Sequence, residues 1–264
     1  MIRRALREDI DKGDITTENI VPLDYTASGR IQLKERAVLS GLPIVGWVFD
    51  ELGKVETRII IDEGVWLELE NNKPLDIISI KGDARAILMG ERTALNFIQR
   101  LSGISTLTKK FVDKIKGTDA RILDTRKTTP TFRYLEKYAV RVGGGYNHRM
   151  GLYDEALIKE NHIRIAGGIK KALSLVNGEI EVANLSELEE AINGGANHIM
   201  LDNMNINELK EAVNFAKKKN ITLEVSGGVT LSNVREIAET GIDYISIGAI
   251  THSYKSIDIS LLID

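Results

Sequence analysis

The stretch HIMLDNMNINELKEAVNFAKKKNITLEVSGG at 198–228 decides the fold class. His198–Leu201 is an apolar run closed by Asp202, Ile206–Lys219 reads as a helix, and Ile221–Val225 reads as a strand that ends in Ser226-Gly227-Gly228. Runs without polar alternation are expected of parallel strands covered by helices. One strand–helix–strand repeat is thus visible, and the flanks continue it. Glu179–Val182 and Leu185–Asn193 precede it as strand and helix; Leu231–Glu239 and Tyr244–Ile247 follow as helix and strand. The strands start about 20 residues apart, the spacing of βα units. A polar residue or glycine stands at each strand end: Asp124, Glu181, Asp202, Ser226-Gly227-Gly228 and Gly248. A closed or nearly closed barrel gathers such residues at its C-terminal face, whereas an open doubly wound sheet concentrates them at one switch point. A barrel is the better reading.

Further upstream, Arg121–Leu123 reads as a strand and Phe132–Arg141 as a helix. Ala84 to Lys116 is helical by periodicity, with Gly103 expected to break it. Between Ala27 and Gly82 the pattern changes to short strands at Gly29–Lys34, Lys54–Ile60, Val65–Leu69 and Asp76–Lys81, with one helix at Pro43–Leu52. Residues 1–20 form a short helix and a turn at Gly13-Asp14. The reading is α/β, with an α+β N-terminal domain plus helical bridge over 1–105 and a barrel domain over 106–264, whose last residues return towards the first.

Composition narrows the function. The 264 residues are 43% hydrophobic and 28% charged, enough for a large core without cross-links. With no cysteine, thiolate nucleophiles, thiolate zinc sites, iron–sulfur ligation and disulfides are excluded. The net charge of −3 lacks a basic footprint for nucleic acid. Lys217-Lys218-Lys219 reads as a solvated helix end that suits the helix dipole. No apolar run is long enough to span a bilayer, and an N-terminus with early acidic residues points to the cytoplasm.

The densest polar stretch runs from Asp124 to His162. It holds Arg126, Lys127, Arg149 and Lys159, with three consecutive glycines at 143–145 and His148 among them. Arginine forks and mobile lysines in a glycine-rich setting suit a multiply anionic small molecule. Glu181 and Asp202 stand one βα repeat apart, so they can end neighbouring strands and offer hard oxygens to Mg²⁺. Ser226-Gly227-Gly228 and Gly248-Ala249, the latter shortly before His252, are candidate phosphate loops. Neither a Gly-x-Gly-x-x-Gly nor a Walker A sequence occurs, and no Ser-His-Asp signature is present. Charge positioning, rather than covalent catalysis, is the chemistry expected.

These stretches resemble one family. GDITT (13–17), ERTALNFIQRLSGIST (91–106), DTRKTTP (124–130), LEKYAVRVGGGYNHRMGLYD (135–154), LIKENH (157–162), HIMLDNM (198–204) and VSGGVTLSNV (225–234) are similar, in order, to the quinolinate phosphoribosyltransferases. The resemblance implies an N-terminal α/β sandwich followed by an incomplete α/β barrel of about six main parallel strands. It implies transfer of a phosphoribosyl group from 5-phosphoribosyl 1-pyrophosphate to quinolinate, with decarboxylation to nicotinate mononucleotide and with Mg²⁺. It also implies a homodimer, or a dimer-based oligomer, with shared sites. Arg126, His148, Arg149 and Lys159 fall on quinolinate-binding positions, Arg100 on an arginine donated across the dimer, and Lys127 on a basic position near both substrates. Glu181 and Asp202 match acids around the ribose and Mg²⁺-pyrophosphate; Ser226, Gly227, Gly228, Gly248 and His252 match the phosphate loops. The sequence departs from the family at Thr131, where glycine is usual, at Glu160 and at Val225. Rival readings are a paralogous phosphoribosyltransferase for another acidic ring and a non-catalytic binder of phosphorylated metabolites. Retention of Arg100, Arg126, Arg149 and Lys159 together favours quinolinate, and retention of Glu181 and Asp202 speaks against a non-catalytic binder.

Overall fold

The structure, a computed structural model, describes every residue from 1 to 264 except Lys218. The first elements are α1 (Ile2–Ile10), α2 (Ile15–Ile20), β1 (Thr26–Leu33), β2 (Ala37–Val38), α3 (Leu42–Leu52), β3 (Val55–Ile59), β4 (Trp66–Leu67), β5 (Leu75–Asp83) and α4 (Ala84–Lys114). Next come β6 (Arg121–Leu123), α5 (Arg133–Val142), β7 (Leu157–Ile158), α6 (Glu160–Ala166), α7 (Ile169–Leu175), β8 (Glu179–Val182) and α8 (Leu185–Asn193). The chain closes with β9 (His198–Asp202), α9 (Ile206–Lys217), β10 (Thr222–Ser226), α10 (Val234–Glu239), β11 (Tyr244–Ser246), α11 (Ala249–His252) and β12 (Ile259–Ile263). They fall into two compact units, one of Met1–Leu107 with Tyr254–Asp264, the other of Thr108–Ser253.

In the first unit a four-stranded antiparallel sheet runs in the order β12-β1-β5-β3. α3 starts from a left-handed Gly41 with Pro43 in its first turn, where the missing N–H of proline is harmless. Leu42, Ile44, Val45, Val48 and Phe49 are buried on it, each contributing about 1.5–3 kcal/mol by leaving water. Asp14 caps α2 by accepting from the Thr16 and Thr17 amides at 3.0 Å.

Gly103 does not break α4, contrary to the expectation from sequence; the helix is continuous from 84 to 114. The glycine serves packing instead. A Cβ there would stand 2.3 Å from the Lys255 carbonyl oxygen and 2.9 Å from the Tyr254 ring, so only hydrogen lets that segment lie against the helix.

In the second unit six parallel strands run in the order β6-β11-β10-β9-β8-β7 and the sheet does not close. Strands β8 and β10 alternate, unlike the apolar runs read at Ile199–Leu201 and Tyr244–Ile247. Ile180, Val182, Leu223 and Val225 are buried against the helices, while Glu179, Glu181, Thr222, Glu224 and Ser226 line the barrel interior or its mouths. Side chains two apart share a face of a strand, so the interior of this barrel is a polar column. Leu231 lies in a turn, and the helix expected there starts at Val234. The lysine run after Ala216 lies partly outside the described residues, at Lys218. No helix among the described residues is long and apolar enough to cross a membrane.

Candidate active site

The strand register assembles the site. β7 pairs with β8 so that Ile158 lies beside Ile180, which brings Lys159 beside Glu181. Their side chains form an ion pair. β8 pairs with β9 so that Glu181 lies beside Met200; Asp202, two residues further, faces the same side. β9 pairs with β10 so that Asp202 lies beside Ser226. Lys159, Glu181, Asp202 and Ser226 therefore form a row at the C-terminal ends of four neighbouring strands.

That row lines a cavity of about 840 Å³. Arg126, Lys127, His148 and Arg149 face it from the loops after β6 and α5; Gly227, Gly228, Gly248 and His252 face it from the loops after β10 and β11. The residues singled out from sequence thus meet in one place, with one exception. Arg100 lies on α4 in the first unit, its guanidinium 5.1 Å from the centre of the Tyr254 ring.

Each side of the cavity has its own chemistry. The Arg126 Nε is buried with no hydrogen-bond partner, a donor held ready for an anion. Arg149 is nearly buried, and its Nη1 donates to the Glu155 carbonyl at 2.9 Å, which fixes the guanidinium plane. The Thr251 hydroxyl donates to the Lys127 carbonyl at 2.9 Å and ties the 124–130 loop to α11. Gly227 (φ 94°) and Gly228 (φ 61°) adopt left-handed backbone, and a Cβ at 227 would stand 2.2 Å from the Asn203 Oδ1. At Gly248 a Cβ would stand 2.9 Å from Lys127 Cδ. A side chain at 227 or 248 would collide with the pocket's own walls, while at 228 it is the left-handed backbone that disfavours one.

His148 sits at the base of the cavity. Its Nδ1 accepts the Arg149 amide at 2.7 Å, and its Nε2 lies 3.0 Å from Glu179 Oε2. Burial disfavours the ring's cation, but the hydrogen bond to Glu179 and the Glu224 carboxyl outweigh it and raise the His148 pKa. The amide at Nδ1 opposes charging, because a second ring proton there would face another donor. With Nδ1 accepting that amide, Nε2 carries a proton and donates it to Glu179.

Asp124, read from sequence as a strand-end polar residue at the site, is fully buried behind it. It pairs with buried Lys137, accepts from Asn147 Nδ2 at 2.5 Å and accepts from the His148 amide at 2.9 Å. Burial raises the Asp124 pKa and lowers that of Lys137. This pair clamps the segment that carries His148 and Arg149. Lys137 was hidden in the sequence because a lysine on an amphipathic helix reads as solvated. Glu179 and Glu224 were missed as well, although charge inside a buried strand was the signal that could have revealed them.

Glu181 and Asp202 suit Mg²⁺ by donor chemistry. Both present hard carboxylate oxygens at a cavity mouth with room for an anionic partner, and one oxygen of each is held by Lys159 or by Asn203 Nδ2.

Fold and cavity together define an α/β-barrel enzyme for anionic small molecules. The model of the quinolinate phosphoribosyl transferase N-terminal domain matches residues 14–102, and that of the C-terminal domain matches 104–262. The chain is 42% identical to a probable carboxylating nicotinate-nucleotide pyrophosphorylase of Methanocaldococcus jannaschii, over 99% of this chain and 95% of the relative. It is 40% identical to the carboxylating nicotinate-nucleotide pyrophosphorylase of Mycobacterium leprae, over 98% and 95%. The structure of the nicotinate-nucleotide pyrophosphorylase from Francisella tularensis superposes with a TM-score of 0.93 at 42% identity, covering 100% of this chain and 94% of that one. The chain belongs to the quinolinate phosphoribosyl transferase family.

Proposed function

We propose that this chain transfers the phosphoribosyl group of 5-phosphoribosyl 1-pyrophosphate to quinolinate and releases carbon dioxide, giving nicotinate mononucleotide and pyrophosphate. The observation that carries the reading is the convergence of Arg126, Lys127, Arg149 and Lys159 on one cavity that Glu181, Asp202 and two glycine loops complete. Quinolinate brings two carboxylates beside a ring nitrogen, and fixed guanidinium groups hold such a dianion in one orientation. Arg126, Arg149 and Lys159 take that role, with His148 shaping the floor. Ser226, Gly227, Gly228, Gly248 and His252 receive the 5-phosphate. Lys127, on the wall beside Gly248, stands between the two anions.

Chemistry then follows from positioning. The ring nitrogen bonds to the anomeric carbon as the bond from that carbon to pyrophosphate breaks. Positive charge that develops on the sugar is met by the Glu181 and Asp202 carboxylates. Glu181 and Asp202 would hold Mg²⁺, which when bound would supply charge neutralisation for the departing pyrophosphate. The new pyridinium withdraws electrons, the adjacent carbon–carboxylate bond breaks, carbon dioxide leaves, and the electron pair on the ring carbon takes a proton. Arg100 acts in the cavity of a second copy of this chain, so the working unit is a homodimer.

The deciding experiment supplies quinolinate or nicotinate in parallel, with 5-phosphoribosyl 1-pyrophosphate and Mg²⁺, and quantifies nucleotide and carbon dioxide together. One carbon dioxide per nucleotide from quinolinate is the expected result. Nucleotide from nicotinate alone would reassign the substrate to a ring with one carboxylate.

A further inference from the structure

The polar column inside the barrel continues below the substrate cavity. A second cavity, of about 560 Å³, opens at the N-terminal ends of the strands, and His198, Thr222 and Tyr244 line it. Glu179 of β8, His198 of β9 and Glu224 of β10 stand on three neighbouring strands at this cavity, which His198 and Glu224 line. The Glu179 and Glu224 side chains have no solvent exposure.

Each of these carboxyls has one oxygen in use. Glu179 Oε2 accepts from His148 Nε2 at 3.0 Å, and Glu224 Oε1 accepts from the Ser246 hydroxyl. The remaining atoms, Glu179 Oε1, Glu224 Oε2 and His198 Nε2, are buried and without a hydrogen-bond partner. They also converge: His198 Nε2 is 3.5 Å from Glu179 Oε1 and 3.9 Å from Glu224 Oε2. Orphaned polar atoms in a protein interior are expensive singly, and His198 Nε2, within 4 Å of an orphaned oxygen on each carboxyl, can share one partner with both. Metal–ligand bonds of about 2.0–2.2 Å place neighbouring donors about 3.3 Å apart, close to the 3.5 and 3.9 Å from His198 Nε2 to the two carboxyls.

We propose that Glu179, His198 and Glu224 bind one divalent first-row transition-metal cation, Mn²⁺ or Zn²⁺, on the interior floor of the barrel, with water from the 560 Å³ cavity completing the sphere. Two carboxylates with one imidazole suit these ions better than Mg²⁺, which prefers oxygen alone. His148 also offers an atom within 4.8 Å of both carboxyls, but we place it outside the coordination sphere. Its Nδ1 accepts a backbone amide, so its Nε2 carries the proton and serves as the outer partner that orients Glu179. The cation therefore ties three strands together and, through Glu179, sets the ring that floors the substrate cavity. The site is separate from Glu181 and Asp202 and does not depend on the reaction proposed above.

The test uses the full chain carrying Glu181→Gln and Asp202→Asn, which removes the acids of the upper cavity, after dialysis against a chelator. Mn²⁺ is titrated and followed by electron paramagnetic resonance; Zn²⁺ is titrated and followed by calorimetry. Expected are one cation per chain and a rise in Tm on binding. Adding Glu224→Gln or His198→Asn should weaken binding at least about tenfold in chains whose circular dichroism is unchanged. Should those variants not fold, X-ray absorption of the Zn²⁺-loaded parent decides, with one nitrogen and two carboxylate oxygens expected. A folded parent that binds neither ion, or variants that bind as tightly as the parent, would overturn the proposal and leave a proton or water to join the three atoms.

Discussion

Thr131 stands at φ 70°, in the left-handed region where a β-branched residue is strained by about 1–3 kcal/mol. It occupies the position where related sequences usually place glycine, directly after Pro130. Thr131→Gly should therefore raise stability, by about 1 kcal/mol once the extra freedom of unfolded glycine is subtracted. Urea unfolding measures this, and an unchanged midpoint would show that the turn is relaxed. Lys137 is the opposite case, a residue whose removal exposes a hidden dependence. Lys137→Met leaves Asp124 buried beside Asn147 without its cation and should cost about 3–5 kcal/mol. Adding Asp124→Asn should restore part of that loss, and additive losses would argue against a coupled pair. The two residues also show what was legible. Arg126, Lys127, Arg149 and Lys159 stood out in sequence because glycines and strand ends surround them, so a merely solvated loop explained them poorly. Lys137 and Glu224 did not, since nothing local distinguishes a buried charge from an exposed one.

Among the elements, α4 shows most clearly how tertiary packing overrides a local signal. Glycine within a helix loses about 1 kcal/mol to alanine, so Gly103 reads as a break until the Lys255 carbonyl is seen to need the space. Gly103→Ala should consequently destabilise despite the better propensity, by about 1–3 kcal/mol; a higher Tm would mean that the 254–255 segment yields. The strands were easier, because their hydrophobic runs and terminal glycines repeat. The polar inward row of β8 and β10 went unread, because only Glu181 and Ser226 of it fall at strand ends, where a polar residue signals a site. α2 supplies a pH test. Hydrogen bonds from the Thr17 hydroxyl and amide hold the Asp14 pKa below the ordinary carboxylate value. Because the folded value is the lower one, the cap's contribution is complete above about pH 4 and is lost as pH falls through the folded value. Hydrogen exchange of α2 should accelerate on acidification in the parent and change less in Asp14→Asn, which caps without titrating. Identical profiles would remove Asp14 as the cause.

At the scale of the whole molecule, the homodimer proposal makes Arg100 and Lys159 residues of different chains in one site. Chains with Arg100→Ala and chains with Lys159→Ala, each inactive alone, should regain up to about a quarter of the parent rate when mixed, since half of the random dimers hold one intact site. No recovery after demonstrated subunit exchange would place Arg100 outside the site. The proposed composite arrangement rests on family resemblance alone, because no periodicity or spacing within one chain reports on a second.

The pairing of β1 with β12 carries a consequence for biosynthesis. The two strands share a ladder from Gly29–Ile263 to Leu33–Ile259, yet the whole of the barrel unit is translated between them. While the ribosome makes the barrel, β1 has β5 on one side and an open row of amides and carbonyls on the other, the kind of edge through which nascent chains associate wrongly. The N-terminal sheet is therefore begun first and finished last.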